Sequence, residues 1–291
     1  MFPSTFSIVG ADLATGEIGV GVQSKFLSVG AVVPFVRAGV GAIATQAYAN
    51  TSYGPKALEL LAAGQEPQAV LEALIAADEG RDDRQFGIVA AGGGRSATFT
   101  GAGCIEAAGG VCGPAFAAQG NCLAGMPVVA ALAEAFTQSG GSLADRIIAA
   151  LRAAQACGGD KRGQQSAALI VEKPGGGYGG FNDRYVDLRV DDHAAPIEEL
   201  ARLLEMHKLY FFAAEPHDLI EIDAPLGAEL ALELVRVGAL PPGHGAFDAR
   251  AREALVAFMH VENLENRVRD DGFIDRQTRD YLRAAPAKLQ A

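Results

Sequence analysis

Three stretches follow one another at the start of the chain: Thr5-Phe6-Ser7-Ile8-Val9-Gly10, Asp12-Leu13-Ala14-Thr15-Gly16, and Glu17-Ile18-Gly19-Val20-Gly21-Val22-Gln23-Ser24-Lys25. The first and third read as strands, with Ile18, Val20 and Val22 on one face of the second strand. The segment between them is turn chemistry, so the pair reads as a β-hairpin. Gly19 and Gly21, on the other face, leave room for another backbone or a ligand.

Working outward, residues 39–46 read as a third, buried strand ending in Thr45-Gln46. Two helices are predicted over residues 53–63 and 67–77, the second with Pro67 in its first turn. Strands over 85–91 and 95–100 are joined by Gly92-Gly93-Gly94, and residues 116–121 are extended. Another helix pair is predicted near 126–138 and 142–156, the latter with Ser142 as N-cap and Asp145 three residues on. Residues 167–172 and 185–190 close the region as strands. Strands thus arrive in antiparallel runs and helices in pairs, which does not suit a doubly wound parallel sheet. Two face-to-face sheets with helix pairs outside would cover every apolar face. The expected fold class is therefore α+β, a four-layer αββα sandwich over residues 1–200. A small all-α domain is expected over 205–291.

With 291 residues, 49% of them hydrophobic, the chain can bury a sizeable core in one large and one small domain. A net charge of -11 argues against binding to nucleic acid or an anionic membrane. No signal peptide is expected at Met1-Phe2-Pro3-Ser4-Thr5, and no apolar stretch is long enough to span a bilayer. Cys104, Cys112, Cys122 and Cys157 lack CxxC spacing and are expected to be reduced and buried. The cytoplasm is the expected compartment.

All five histidines (His193, His207, His217, His244 and His260) lie after residue 190. A Ser-His-Asp triad or a His-rich zinc site within the first two-thirds of the chain is thereby excluded. Chemistry there must use a hydroxyl, thiol, amine, carboxylate or amide. The polar run Gly158-Gly159-Asp160-Lys161-Arg162-Gly163-Gln164-Gln165-Ser166 enters the apolar strand Ala167–Val171 directly, and such anchored loops often carry function. Gly92-Gly93-Gly94 precedes a strand rather than a helix and is no phosphate cradle. No cofactor and no metal are expected.

Thr5 to Val9, Gly19 to Phe26, Ala44-Thr45-Gln46-Ala47-Tyr48-Ala49-Asn50, Gln119-Gly120-Asn121 and the 158–171 block resemble the family called domain of unknown function 1028. The resemblance runs over about residues 5–190. That family is grouped with the N-terminal nucleophile hydrolases, so the resemblance implies the αββα sandwich. It also implies amide hydrolysis by a Thr, Ser or Cys at a free N-terminus, whose amine serves as general base. Thr5, opening the first strand, is where that nucleophile falls. Four residues precede it, and removal of Met1 would expose only Phe2. Activation would therefore need cleavage between Ser4 and Thr5, for which attack of the Thr5 hydroxyl on the preceding carbonyl is one route. Residues 205–290 resemble a small peptidoglycan-binding module. They read as three amphipathic helices sharing Leu230, Leu234, Val235, Leu255, Phe258, Met259, Ile274, Tyr281 and Leu282. With no signal peptide expected, assembled peptidoglycan is not the ligand expected for this module.

Each candidate has a plain structural alternative. Thr5 is either a nucleophile or an ordinary strand residue. Lys25 either stabilises a reacting oxygen or ends a strand in solvent. Gln119 and Asn121 offer amide groups around Gly120, or merely form a turn. Asp160 and Arg162 either bind a charged, amino-acid-like substrate or pair with each other. Gln23, Thr45, Gln46 and Gln165 complete the candidate substrate-binding set. The expected activity is hydrolysis of a small amide or peptide-like molecule, in a homodimer. The rival is a non-catalytic binding protein that keeps the hydrolase fold.

Overall fold

The computed structural model describes residues 5–287. The chain divides into two compact units between Leu204 and Glu205. In the first, the order is β1 (Thr5–Asp12), β2 (Glu17–Ser24), β3 (Pro34–Arg37), β4 (Gly41–Ala47), α1 (Tyr53–Ala62) and α2 (Pro67–Ala76). Then come β5 (Arg84–Ala90), β6 (Ser96–Thr100), β7 (Gly109–Gly113), β8 (Phe116–Gly120), α3 (Pro127–Gln138), α4 (Leu143–Ala156), β9 (Ser166–Glu172) and β10 (Arg184–Val190).

One sheet has the order β10-β9-β2-β1-β8-β7 and the other β3-β4-β5-β6. Every pairing in them is antiparallel. The two sheets face each other; α3 and α4 cover the outside of the larger, α1 and α2 the outside of the smaller.

Strand alternation creates these layers. Val9, Ala11, Ile18, Val20 and Val22 meet Ala42, Ala44 and Val89 between the sheets. Ile43, Phe86 and Ile88 point the other way, onto Tyr53, Leu61, Val70 and Leu74 of α1 and α2. Gly10 and Gly21 lie beneath the α3–α4 pair. A Cβ on Gly10 would come within 2.6 Å of Phe136, and one on Gly21 would collide with Ile147. The space left by the glycines of β2 is therefore filled by its own helix and strand neighbours rather than by a ligand.

Two strands escape a sequence reading because both are short and at sheet edges. β3 begins on Pro34, tolerable only at such a position, and β7 is mostly glycine with no apolar alternation. The Ser142–Asp145 capping box forms as its spacing predicts.

The acidic loop after α2 is not simply solvated, as its composition suggests. Asp78 and Arg84 side chains are each 13% exposed and paired at 2.8 Å. Asp78 also accepts from Tyr53 Oη at 2.8 Å, Asn50 Nδ2 at 3.1 Å and the Gly80 N–H at 2.8 Å. The Arg84 guanidinium holds the Asp78 carboxyl well below the usual carboxylate range, helped by Asn50 and Tyr53 and opposed by burial. Burial, then the Asp78 hydrogen bond, pushes the Tyr53 phenol up. A carboxyl depressed by folding contributes fully above about pH 4 and loses that contribution as pH falls through its lower folded value. Asp78→Asn should cost about 2 kcal/mol at neutral pH. The gap from wild type should close as melting is repeated below pH 4. A gap independent of pH would assign the loss to shape rather than charge.

Helix α5 (Pro196–Phe211) contains the dividing point. The second unit continues with β11 (Leu219–Glu221), α6 (Ala224–Arg236), α7 (Ala249–Val261), β12 (Phe273–Asp275) and α8 (Arg276–Ala284). Leu230, Leu234, Leu255, Phe258, Met259, Ile274 and Leu282 form its core, with Val235 and Tyr281 packed against it. Asp223, Asp248 and Asp275 each cap a helix through the side chain.

The unit is helical but not all-α, since β11 and β12 pair as a ribbon. Asp275 ends that ribbon and meets buried Arg267 at 2.6 Å, the two side chains 0% and 2% exposed. Arg267 also donates to the carbonyls of Leu209 at 2.6 Å and Lys208 at 2.8 Å. Arg267→Ala would strand a buried carboxylate and these carbonyls, a loss of about 3 kcal/mol. Hydrogen exchange should show faster opening of α8 and the ribbon; unchanged protection there would refute the assignment.

Candidate functional site

One end of the inter-sheet space is polar. Thr5, Ser7, Ser24, Gln46, Gln85 and Gln119 are all fully buried there. Alternation places them on the same face as Val9, Val22, Ala44, Val89 and Ala117. Burying this many polar groups is tolerable only when they satisfy one another.

The directions of their hydrogen bonds can be deduced. The carbonyls of Gly109 and Gly120 can only accept, and Gln85 Nε2 lies 3.2 and 2.8 Å from them and 2.8 Å from Thr100 Oγ1. Gln85 Oε1 must therefore accept, and it does so from Gln46 Nε2 at 2.8 Å and Asn121 Nδ2 at 2.9 Å. Gln46 Nε2 also reaches the Thr5 carbonyl at 3.2 Å. That leaves Gln46 Oε1 to accept from Ser7 Oγ at 2.6 Å, and Ser7 Oγ to accept from Gln119 Nε2 at 2.7 Å. The chain of donors ends at two buried acceptors, Asn121 Oδ1 and Gln119 Oε1, which have no partner among the described residues. Gly87 faces Gln119, and any Cβ there would collide with Oε1.

Thr5 sits beside this network. Its Oγ1 donates to Ser24 Oγ at 3.1 Å, and its carbonyl also accepts the Asn121 N–H at 3.0 Å. The bond between Ser4 and Thr5, expected as a processing point, involves a residue outside the described range. A cavity of about 100 Å³ opens next to Asn121, lined also by Ala47, Tyr48, Asp83, Gly103, Cys104 and Ile105. Ala47 and Cys122, which follow Gln46 and Asn121, have φ of 65° and 54°. Left-handed backbone at non-glycine residues concentrates where function fixes the chain. Burial pushes the Cys104 thiol up, away from thiolate reactivity.

The expected site residues divide into two groups. Thr5, Gln46, Gln119 and Asn121 come together. Gln23 is on the helix-facing side of β2, with neither amide atom partnered among the described residues. Thr45 points away from Gln46, its Oγ1 3.4 Å from the Asn50 carbonyl. Lys25 is exposed; its N–H donates to Asp160 Oδ2 and its ammonium to the Gln164 carbonyl, both at 3.2 Å.

Asp160 is 2% exposed and is held by Arg162 through the backbone N–H at 2.9 Å, Nε at 3.0 Å and Nη2 at 2.6 Å. The two are thus each other's partners, Asp160 buried and the Arg162 side chain 31% exposed. Gln165 bonds Asp192 at 3.1 Å in exposed surroundings. Ser24 and Gln85 are members that motif reading missed. The available signal was a Gln inside a strand otherwise buried on both faces. Of the cysteines only Cys122 is buried; Cys112 and Cys157 are exposed, contrary to the core role expected from their type.

Among the described residues no three His, Cys, Asp or Glu side chains are placed to hold a metal ion, and no helix is long and apolar enough to cross a membrane. The second unit has its own cavity of about 530 Å³, lined in part by Phe247, Arg252, Met259, Phe273 and Ile274.

These features define an α+β protein whose larger unit buries a polar amide network between two antiparallel sheets. The chain belongs to the family of unknown function called DUF1028, whose model matches residues 5–200. Residues 211–282 match the model described as "Putative peptidoglycan binding domain". The crystal structure of protein SPO2555 from Silicibacter pomeroyi, assigned to the same DUF1028 family, is similar, with a TM-score of 0.65 and 31% identity. The match covers 72% of this chain and 91% of that one. Among curated proteins none matches the chain.

Proposed function

We propose that the first unit is an αββα sandwich of the N-terminal nucleophile hydrolase type, and that it hydrolyses a small amide or peptide-like substrate with Thr5 as nucleophile. The observation carrying this reading is the placement of Thr5. It opens a central strand beside a directionally fixed amide network, and that network ends next to a cavity. Layer order, antiparallel pairing and the absence of histidine before residue 193 support it. Once its amine is free, Thr5 Oγ1 attacks the substrate carbonyl carbon and passes its proton to that amine. Collapse expels the substrate's amine, which takes the proton, and leaves an ester on Thr5. Water then cleaves the ester to release the acid.

A second reading, a non-catalytic binding protein, is favoured by the complete burial of Thr5. Intact mass and N-terminal sequencing of purified protein, fresh and after days of incubation, separate the two. A new terminus at Thr5 supports hydrolysis; a stable terminus ahead of Thr5 supports the binding protein.

A further inference from the structure

We propose that the cavity of the second unit is a binding site for an apolar ligand that carries one carboxylate. The site stands apart from Thr5, because every residue lining it belongs to the second unit. Arg252, Leu255, Val256 and Met259 lie at positions i, i+3, i+4 and i+7 of α7, so a single stripe of that helix supplies one wall. Phe273 and Ile274 of β12, with Ile222 just past the end of β11, supply another.

The lining decides the chemistry of the body. None of the described residues around the cavity carries a hydroxyl, carboxamide or imidazole side chain. A sugar taken against such walls would give up water at its hydroxyls and gain few partners in exchange, which is unfavourable. Apolar carbon is what these side chains match. At about 530 Å³ the cavity falls in the range of small-molecule sites and holds up to roughly eighteen water-sized groups. An aryl or aliphatic body of that order fits.

The charged groups decide the rest. Of the arginines in the lining, Arg267 is committed to Asp275 at 2.6 Å, and Arg269 donates from Nε to Asp271 at 3.0 Å. Arg252 is left. Its Cζ lies 5.9 Å from the centre of the Phe247 ring, which also lines the cavity, and it has no carboxylate partner among the described residues. A guanidinium held over a ring keeps its N–H edge open, and that planar fork suits a carboxylate. Glu253 and Asp270 line the same cavity and repel a ligand with more than one negative charge. A single carboxylate on an apolar body is therefore the best match. A free acid and a peptide C-terminus with an apolar last residue both present that chemistry.

The test is a methyl chemical-shift titration of the full chain with phenylbutyrate, phenylbutanol and tri-N-acetylchitotriose as separate probes. Phenylbutyrate should shift the Met259 and Ile274 methyl signals, and phenylbutanol should shift the same signals with about tenfold weaker affinity. The chitotriose should leave them unmoved. Arg252→Gln, a change at an exposed helix position, should bring the acid down to the affinity of the alcohol and leave the alcohol unchanged. Equal binding of acid and alcohol, or an unchanged acid affinity in Arg252→Gln, would overturn the proposal. So would shifts with the chitotriose, or no binding of the acid at millimolar concentration. Alanyl-alanyl-phenylalanine and its C-terminal amide then separate the sources. Displacement of phenylbutyrate by the tripeptide acid alone assigns a peptide end, displacement by neither assigns a free acid, and equal displacement by both removes the carboxylate from the proposal and overturns it.

Discussion

Thr5→Ala should lose amide hydrolysis by about 10⁴-fold or more, because no neighbouring group can substitute for an absent nucleophile. The natural probes are aminoacyl p-nitroanilides, whose amide bond releases a coloured amine on hydrolysis. Folding should survive the change. The hydroxyl donates to Ser24 Oγ at 3.1 Å, and such a bond is worth about 1 kcal/mol. The Thr5 carbonyl keeps its two donors, Asn121 N–H and Gln46 Nε2, since both bond to backbone. Thr5→Ser provides the control, restoring a hydroxyl at the same place and with it measurable turnover. An alanine variant that melts like wild type and still hydrolyses the anilides would take Thr5 out of the mechanism.

Much of the fold was legible because the first unit announces its layers through spacing. Runs of antiparallel strands and pairs of helices leave few ways to cover every apolar face. What stayed hidden was parity. β1, β2, β4 and β5 are buried on both faces, so apolar alternation does not say which side a polar residue takes. Gln23 and Ser24 illustrate the difficulty. Either could accompany Thr5 on chemistry alone, but the hairpin pairs Asp12 with Glu17, which sets Ser24 beside Thr5 and Gln23 beside Phe6. Thr45 and Gln46 pose the same choice on β4, and Gln46 takes the inter-sheet face. Motif reading treated the Asp160–Arg162 loop as a binding surface. In three dimensions the loop returns to the end of β2, where Asp160 is occupied by Lys25 N–H and Arg162. Pairing across 135 residues leaves no local signal.

Gln85→Leu should destabilise the first unit by about 4 kcal/mol, more than any other single change in the network. Gln85 is the residue from which every other orientation follows. Leucine fills the space but removes a donor from the carbonyls of Gly109 and Gly120 and an acceptor from Gln46 and Asn121. Each buried group left unpaired costs about 1–3 kcal/mol, and because the groups are coupled the sum is not reached in full. Gln85→Glu sharpens the test. One carboxyl oxygen can still accept from Gln46 and Asn121. The other faces two carbonyls that only accept, so it must carry a proton. Its folded pKa is thereby raised above the ordinary value of about 4.3. Stability in that variant is complete below the unfolded pKa and is lost as pH rises through the folded one. Denaturant melts should therefore show Gln85→Glu approaching wild type near pH 4 and falling away toward pH 8, with Gln85→Leu low throughout. If the glutamate variant showed no such pH trend, the donor at position 85 would not be what orders the network.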